Sequence, residues 1–202
     1  MIISSSKTFE EVLVSLEGID NVFVIGCNVC AARLHVGGEP EVLDMCAKLK
    51  AAGKNVVGWA LPTAACSIQS YEKLVEKGPG IQKADAILVM ACGSGTSVVS
   101  MLVDVPVYPS NNTDSLGGRS QEQVIPHLCE MCGACNIQEF GGICPKANCP
   151  KGLLNGPCGG SISGKCEVDT EQECAWELIY RQLEKTGRLK LLEKIIGPRD
   201  YN

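Results

Sequence analysis

Cys129-Glu-Met-Cys132-Gly-Ala-Cys135 places a thiol at every third residue, and five more follow at Cys144, Cys149, Cys158, Cys166 and Cys174. Thiolates at that repeat suit a compact object with several binding corners. An iron–sulfur cubane is such an object, because each of its irons takes one thiolate. A single zinc ion uses a C-x-x-C pair readily, but a third cysteine at the same spacing is harder to bring onto one tetrahedron. Electron transfer is therefore the first chemistry to expect. Eight thiols suit two cubanes; one cubane with one zinc, or zinc alone, are the alternatives that ligand type leaves open.

Local reach gives Cys129, Cys132 and Cys135 to one centre, with a fourth ligand from the remaining five. In bacterial ferredoxin runs the cysteine of a Cys-Pro pair binds the other cluster. By that logic Cys144, followed by Pro145, joins Cys149 and Cys158, and Cys166 and Cys174 are shared one to each. Gly133, Gly141, Gly142, Gly159 and Gly160 sit beside these thiols. Lacking Cβ, they let backbone N–H groups approach sulfur and tune a potential. His127, like His35, reads as a solvated loop histidine.

A second constellation is Cys27, Cys30, Cys66 and Cys92, and its logic lies in the elements around it. Asn21–Ile25, Asn55–Trp59, Ala86–Met90 and Val105–Tyr108 are short apolar runs that read as strands. Between them helices are expected: one opened by the capping box of Thr8 and Glu11, then Glu39–Ala52, Ser70–Lys77 and Thr96–Leu102. Strands alternating with helices imply parallel β-α-β units. Cys27 and Cys30 follow the first strand, Cys66 the second and Cys92 the third. In a parallel sheet those loops emerge at the carboxyl ends of the strands, where ligands bind in open α/β folds. A four-cysteine metal site is expected there. Gly93-Ser-Gly-Thr-Ser97 reads as a glycine turn capped by Ser94 or Thr96, with phosphate binding the weaker alternative. Cys46 falls on the core face of its helix and behaves as a small hydrophobe. Setting it aside, the thirteen cysteines leave twelve, which is three sets of four.

The expected fold class is α/β. Residues 1–110 form a parallel-sheet, Rossmann-like unit, and 111–202 a small cysteine-rich, metal-organised region with C-terminal helices. Ser110 to Arg119 is rich in Ser, Asn and Gly and reads as a linker or lid. The tract up to Cys174 lacks the apolar mass for its own core, so metal–thiolate bonds must fold it. After it, Ala175–Leu183 carries Trp176, Ile179, Tyr180 and Leu183 at helical spacing, and Leu189–Ile196 gives a second helix. A stripe of Trp176 and Tyr180 would either pack inward or, with the Gly197–Asn202 tail, dock a partner.

The 202 residues are 45% hydrophobic and only 4% aromatic, with a net charge of −5. Nucleic acid is excluded as an expected partner, and a basic patch on a partner protein fits better. No apolar run of about 18 residues is present, so no membrane span is expected. The start, Met1-Ile-Ile-Ser-Ser-Ser-Lys7, has no signal-peptide pattern. Many cysteines of odd number without an export signal argue for a reducing, cytoplasmic compartment where thiols serve metals rather than disulfides.

The stretch Gly142-Ile-Cys-Pro, Cys149-Pro-Lys-Gly-Leu-Leu-Asn-Gly-Pro-Cys158-Gly-Gly, Gly164-Lys-Cys-Glu-Val and Cys174-Ala-Trp-Glu-Leu-Ile-Tyr180 resembles the cysteine-rich C-terminal domain associated with methylenetetrahydrofolate reductases. Gly26-Cys-Asn-Val-Cys30, Gly37-Gly-Glu-Pro40 and Ala84-Asp-Ala-Ile-Leu-Val-Met-Ala-Cys92-Gly93 resemble the rest of one member type, the small iron–sulfur subunit of two-subunit reductases of acetogens and other anaerobes. The resemblance implies two or three [4Fe-4S] clusters, with zinc having some claim on one site. It implies a partner, a flavin-bearing TIM-barrel subunit that reduces methylenetetrahydrofolate to methyltetrahydrofolate, and an upstream donor such as ferredoxin. The chain itself is too short for that barrel, which needs about 250 residues. It also has no G-x-G-x-x-G after a strand, so catalysis by this chain alone is not expected. A zinc-held structural adaptor for the reductase, and a redox sensor or metal-transfer protein, are the competing expectations.

Overall fold

The structure, a computed structural model, describes residues 1–121 and 123–197. The chain forms two compact units, Met1–Ser115 and a second that begins at Leu116.

The first unit is built on four parallel strands: β2 (Asn21–Ile25), β3 (Asn55–Ala60), β4 (Ala86–Val89) and β5 (Val107–Pro109), in the order β3-β2-β4-β5. Side chains alternate across such a sheet. Phe23 and Ile25 of β2 with Ile87 and Val89 of β4 enter one hydrophobic layer; Val22, Val24 and Leu88 enter the other, with Met90 just beyond β4. Helices cover both faces. α1 (Phe9–Ser15) and α3 (Glu39–Ala51) supply Val12, Val42, Cys46 and Leu49 to the second layer. α4 (Tyr71–Lys77) and α5 (Gly93–Ser100) supply Leu74 and Val99 to the first. The α/β reading of the sequence therefore holds. With this strand order the direction of winding reverses between β2 and β4, which opens a crevice at their carboxyl ends.

Helix starts follow local chemistry. Thr8 Oγ1 accepts from the Glu11 amide at 3.2 Å, and Glu11 Oε2 accepts from the Thr8 amide at 2.8 Å, closing the capping box of α1. Glu41 Oε2 accepts from the Gly38 amide at 2.8 Å at the start of α3. α5 begins three residues earlier than its apolar spacing suggests, because the Gly93 amide donates to Thr113 Oγ1 at 2.8 Å.

The sequence-expected linker is instead a strand. β6 (Asn111–Ser120) runs across the boundary of the two units. In the first unit it lies beside β1 (Ile2–Ser6), with Ser5 Oγ donating to Asp114 at 3.2 Å. In the second it pairs antiparallel with β7 (Gln123–Cys129), Arg119 opposite Val124 and Gly118 opposite Ile125. Solvated on much of its length, β6 carries no hydrophobic period to announce it.

The second unit continues through a 3-10 turn (Ile137–Phe140), the short α6 (Pro145–Asn148), α7 (Ala175–Lys185) and a 3-10 turn at Leu189–Glu193, where a longer helix to Ile196 was expected. It has a small core cluster, Phe140, Trp176, Ile179 and Leu183, to which the tract before Cys174 contributes Phe140 and the apolar stripe of α7 the rest. Trp176 is inward rather than exposed. Its ring meets Phe140 edge to face at 5.9 Å and its Nε1 donates to the Leu153 carbonyl at 3.2 Å. Only Tyr180 of the expected stripe is half exposed. Of the Gly197–Asn202 tail, all but Gly197 lies outside the described residues. Among the described residues no helix is long and apolar enough to cross a membrane.

Candidate metal centres

Each of the three cysteine sets is positioned by the ends of elements. Cys27 leaves β2 directly and is buried; Cys30 opens α2 (Cys30–Arg33); Cys66 lies in the 3-10 turn Ala65–Ser67; Cys92 caps the start of α5. The loop after β2 is drawn tight by the Cys27 amide, which donates to the Gly37 carbonyl at 2.8 Å. Gly26 is required there, since a Cβ would stand 2.6 Å from Gly37 O and 2.6 Å from Val42 Cγ2. The Asn28 amide donates to the Pro62 carbonyl at 3.1 Å and ties this loop to the one after β3. α5 packs on the Ala65–Ser67 turn, where a Cβ on Gly95 would already touch Ala65 and Ala91 at 3.0 Å. These bonds bring the loops that carry the four thiols to the crevice. Their proximity is felt electrically: the Cys66 thiol is pushed up by loss of water around it and then by the charges of Cys92, Cys27 and Cys30. Thiolates that repel one another in this way are relieved by a shared cation.

In the second unit the eight cysteines divide four and four. Cys129, Cys132, Cys135 and Cys144 line a cavity of about 220 Å³ together with Ile137 and Phe140. Cys149, Cys158, Cys166 and Cys174 line another of about 20 Å³ beside Trp176. The expected pairing put Cys144 with Cys149 and Cys158 and shared Cys166 and Cys174 one to each; these linings place Cys144 with Cys129, and both Cys166 and Cys174 with Cys149. The reason is α6. It packs against β7, which ends in Cys129, and so carries Cys144 at its start to the first set. Cys149 at its other end faces the second set. Cys166 and Cys174 come together through backbone bonds, the Cys174 amide donating to Gly164 O at 2.8 Å and the Cys166 amide to Gln172 O at 2.9 Å.

Two of these sulfurs already accept backbone hydrogen bonds from two residues on. The Met131 amide donates to Cys129 Sγ at 3.3 Å, and the Gly160 amide to Cys158 Sγ at 3.4 Å. Met131 adopts the left-handed region at φ 50° to do so. Such donors stabilise a thiolate and suit a metal ligand. Among the described residues no three His, Cys, Asp or Glu side chains are drawn close enough to grip a single ion as they stand. The thiols instead border common spaces and share charge, an arrangement whose donor set fits thiolate-bound metal. Cys46 stays apart in the core of the first unit, with its thiol pushed up by burial. His35 is exposed and 3.8 Å from Glu41; His127 is exposed on β7.

Sequence reasoning missed Lys151 and Glu167. Both form an ion pair beside Cys158, whose Sγ donates to Glu167 Oε1 at 3.3 Å. The signal was there, as Lys151 lies two residues after Cys149 and Glu167 follows Cys166.

Residues 108–202 match the family of methylene-tetrahydrofolate reductase C-terminal domains. The match holds both thiol sets of the second unit and stops short of the first. It connects the chain with methylenetetrahydrofolate reductase and with one-carbon metabolism. No curated protein and no solved structure matches the chain.

Proposed function

We propose that this chain is the electron-transfer iron–sulfur subunit of a methylenetetrahydrofolate reductase, passing electrons to the flavin of a larger catalytic partner. The observation that carries the reading is the division of the reductase-like half into two four-thiol sets, with a third at the crevice of the α/β unit. Bound iron–sulfur clusters would supply one-electron transfer at potentials set by hydrogen bonds to sulfur and by burial. The chain's own residues hold and tune them. Cys27, Cys30, Cys66 and Cys92 would hold one centre, Cys129, Cys132, Cys135 and Cys144 a second, and Cys149, Cys158, Cys166 and Cys174 a third. The Met131 and Gly160 amides donate to ligand sulfur.

The partner would be a flavin-bearing reductase subunit, and the donor a small redox protein of the ferredoxin class. A concave apolar surface of about 390 Å³ in the second unit, lined by Tyr180, Leu191, Leu192 and Ile196, suits the docking role expected of the C-terminal helices. Its borders carry two ion pairs, Lys194–Glu139 and Arg181–Glu177.

One observation favours a second reading at one site. The space between Cys149, Cys158, Cys166 and Cys174 is little more than the 10–15 Å³ or so that a water needs. That suits a single ion such as zinc better than a cubane. Zinc at all three sites would make the chain a structural adaptor that assembles the reductase. Iron, zinc and sulfide analysis of anaerobically prepared protein, with EPR after dithionite, separates the readings. About four irons per cubane are expected, so two or three clusters give about eight to twelve. Colourless protein holding zinc alone would leave the adaptor.

A further inference from the structure

We infer that Lys151 is the charge-compensating partner of the Cys158 sulfur in the centre of Cys149, Cys158, Cys166 and Cys174, and that Glu167 positions it. The inference rests on the metal-binding reading of that set. It begins from an oddity of packing. The Lys151–Glu167 pair is about two-fifths exposed on both sides, and such pairs contribute little to folding. Yet both partners converge on one sulfur. Cys158 Sγ donates to Glu167 Oε1 at 3.3 Å. The Lys151 ammonium pairs with that same carboxylate oxygen, Glu167 Oε1, and so stands beside the sulfur.

The backbone is cleared for this arrangement. A Cβ on Gly160 would run into the Glu167 carboxylate, while the Gly160 amide itself donates to Cys158 Sγ at 3.4 Å.

A neutral thiol needs only the carboxylate as acceptor. Once metal takes the sulfur as thiolate, the proton is gone and the carboxylate beside it repels. An ammonium with three donors satisfies carboxylate and thiolate together. Four thiolates around a doubly positive core leave about −2 on the centre, and Lys151 offsets one of these charges. Cys158 is also the exposed thiol of its set; Cys149, Cys166 and Cys174 are half-buried. The compensating cation therefore stands at the sulfur that water and electrophiles reach most easily. Donation into a thiolate lone pair lowers its nucleophilicity, so Lys151 guards this ligand as well as balancing its charge.

The test uses the full chain in its metal-loaded form. Lys151→Gln, Lys151→Arg and the remote surface control Lys83→Gln are exposed to iodoacetamide, and alkylation is mapped by mass spectrometry, with metal content followed in parallel. Cys158 is expected to alkylate about three- to tenfold faster in Lys151→Gln. Lys151→Arg, which keeps the charge, should stay near wild type, as should Lys83→Gln. Cys132, in the other set, should not change in any variant. Wild-type kinetics at Cys158 in Lys151→Gln overturn the inference, and so does equal acceleration in Lys151→Arg. A failure of the metal reading looks different: Cys158 of the wild type would then alkylate at one rate before and after treatment with a chelator.

Discussion

At the scale of single residues, two cysteines of the first unit show how environment separates chemistry from packing. Cys66 stands at the carboxyl edge of the sheet and senses three other thiols. Cys46 lies among Val42, Leu49 and Leu88 and senses mainly the loss of water. Its burial favours the neutral thiol, with Lys50 a smaller opposing influence. A folded-state pKa raised above the unfolded value means that the native state holds the proton longer. Its contribution to stability is then complete below the unfolded pKa and is lost as pH rises through and beyond it. Cys46→Ala should keep the full metal content of the chain. It should cost about 1 kcal/mol near neutral pH, from the lost sulfur and the space left behind. Above about pH 9, the ordinary value for a thiol, the wild type should lose stability more steeply than the variant. Urea midpoints across that range, with metal content alongside, check both statements. Loss of metal in Cys46→Ala would return this residue to the list of ligands.

At the scale of elements, α6 is the piece on which the second unit turns. A helix of four residues, Pro145–Asn148, separates Cys144 from Cys149. At 1.5 Å per residue the two ligand positions are only about 7 to 8 Å apart along the axis. The two thiol sets are therefore close neighbours. Asn148 stitches the helix, its Nδ2 donating to Cys144 O at 2.9 Å while its own carbonyl accepts from Gln172 Nε2 at 2.5 Å. Cys144→Ser should remove the same metal as Cys132→Ser, and Cys149→Ser the same as Cys166→Ser. Metal analysis and EPR of the four variants read this directly; Cys144→Ser grouped with Cys166→Ser would restore the ferredoxin-like pairing. The candidate ligands were legible in the sequence because cysteines carry their chemistry in their identity. Their grouping was not, because it depends on where a four-residue helix docks. The same limit applies to the first unit. β2 and β4 announce themselves as continuous apolar runs, whereas the start of α5 depends on a hydroxyl twenty residues away at Thr113. β1, β6 and β7 are held by backbone pairing, with Val124 and Leu128 exposed and Ser4 buried, so no hydrophobic period marks them.

At the scale of the whole molecule, the two units bury very different amounts of apolar surface. The first buries Phe23, Ile25, Leu88 and a score of other apolar side chains in two layers. Among the described residues the core cluster of the second is four side chains, Phe140, Trp176, Ile179 and Leu183. Small units that bury so little apolar surface commonly rely on metals or disulfides. All of its cysteines are free, and on the function proposed above metal–thiolate bonds would supply what the core does not. Stripping metal with a strong chelator under reducing conditions should therefore melt the chain in part. Amides between residues 130 and 174 should exchange with deuterium freely, while those of β2 and β4 keep the protection of their buried strands. Trp176, packed against Phe140, should lose its edge-to-face environment, and Trp59 of β3 should keep its own, so single-tryptophan variants report the two units separately by near-ultraviolet circular dichroism. Returning the metal should restore the second signal without changing the first. If both units kept full protection after chelation, the small core would suffice by itself, and metal would be a passenger in the second unit rather than its means of folding.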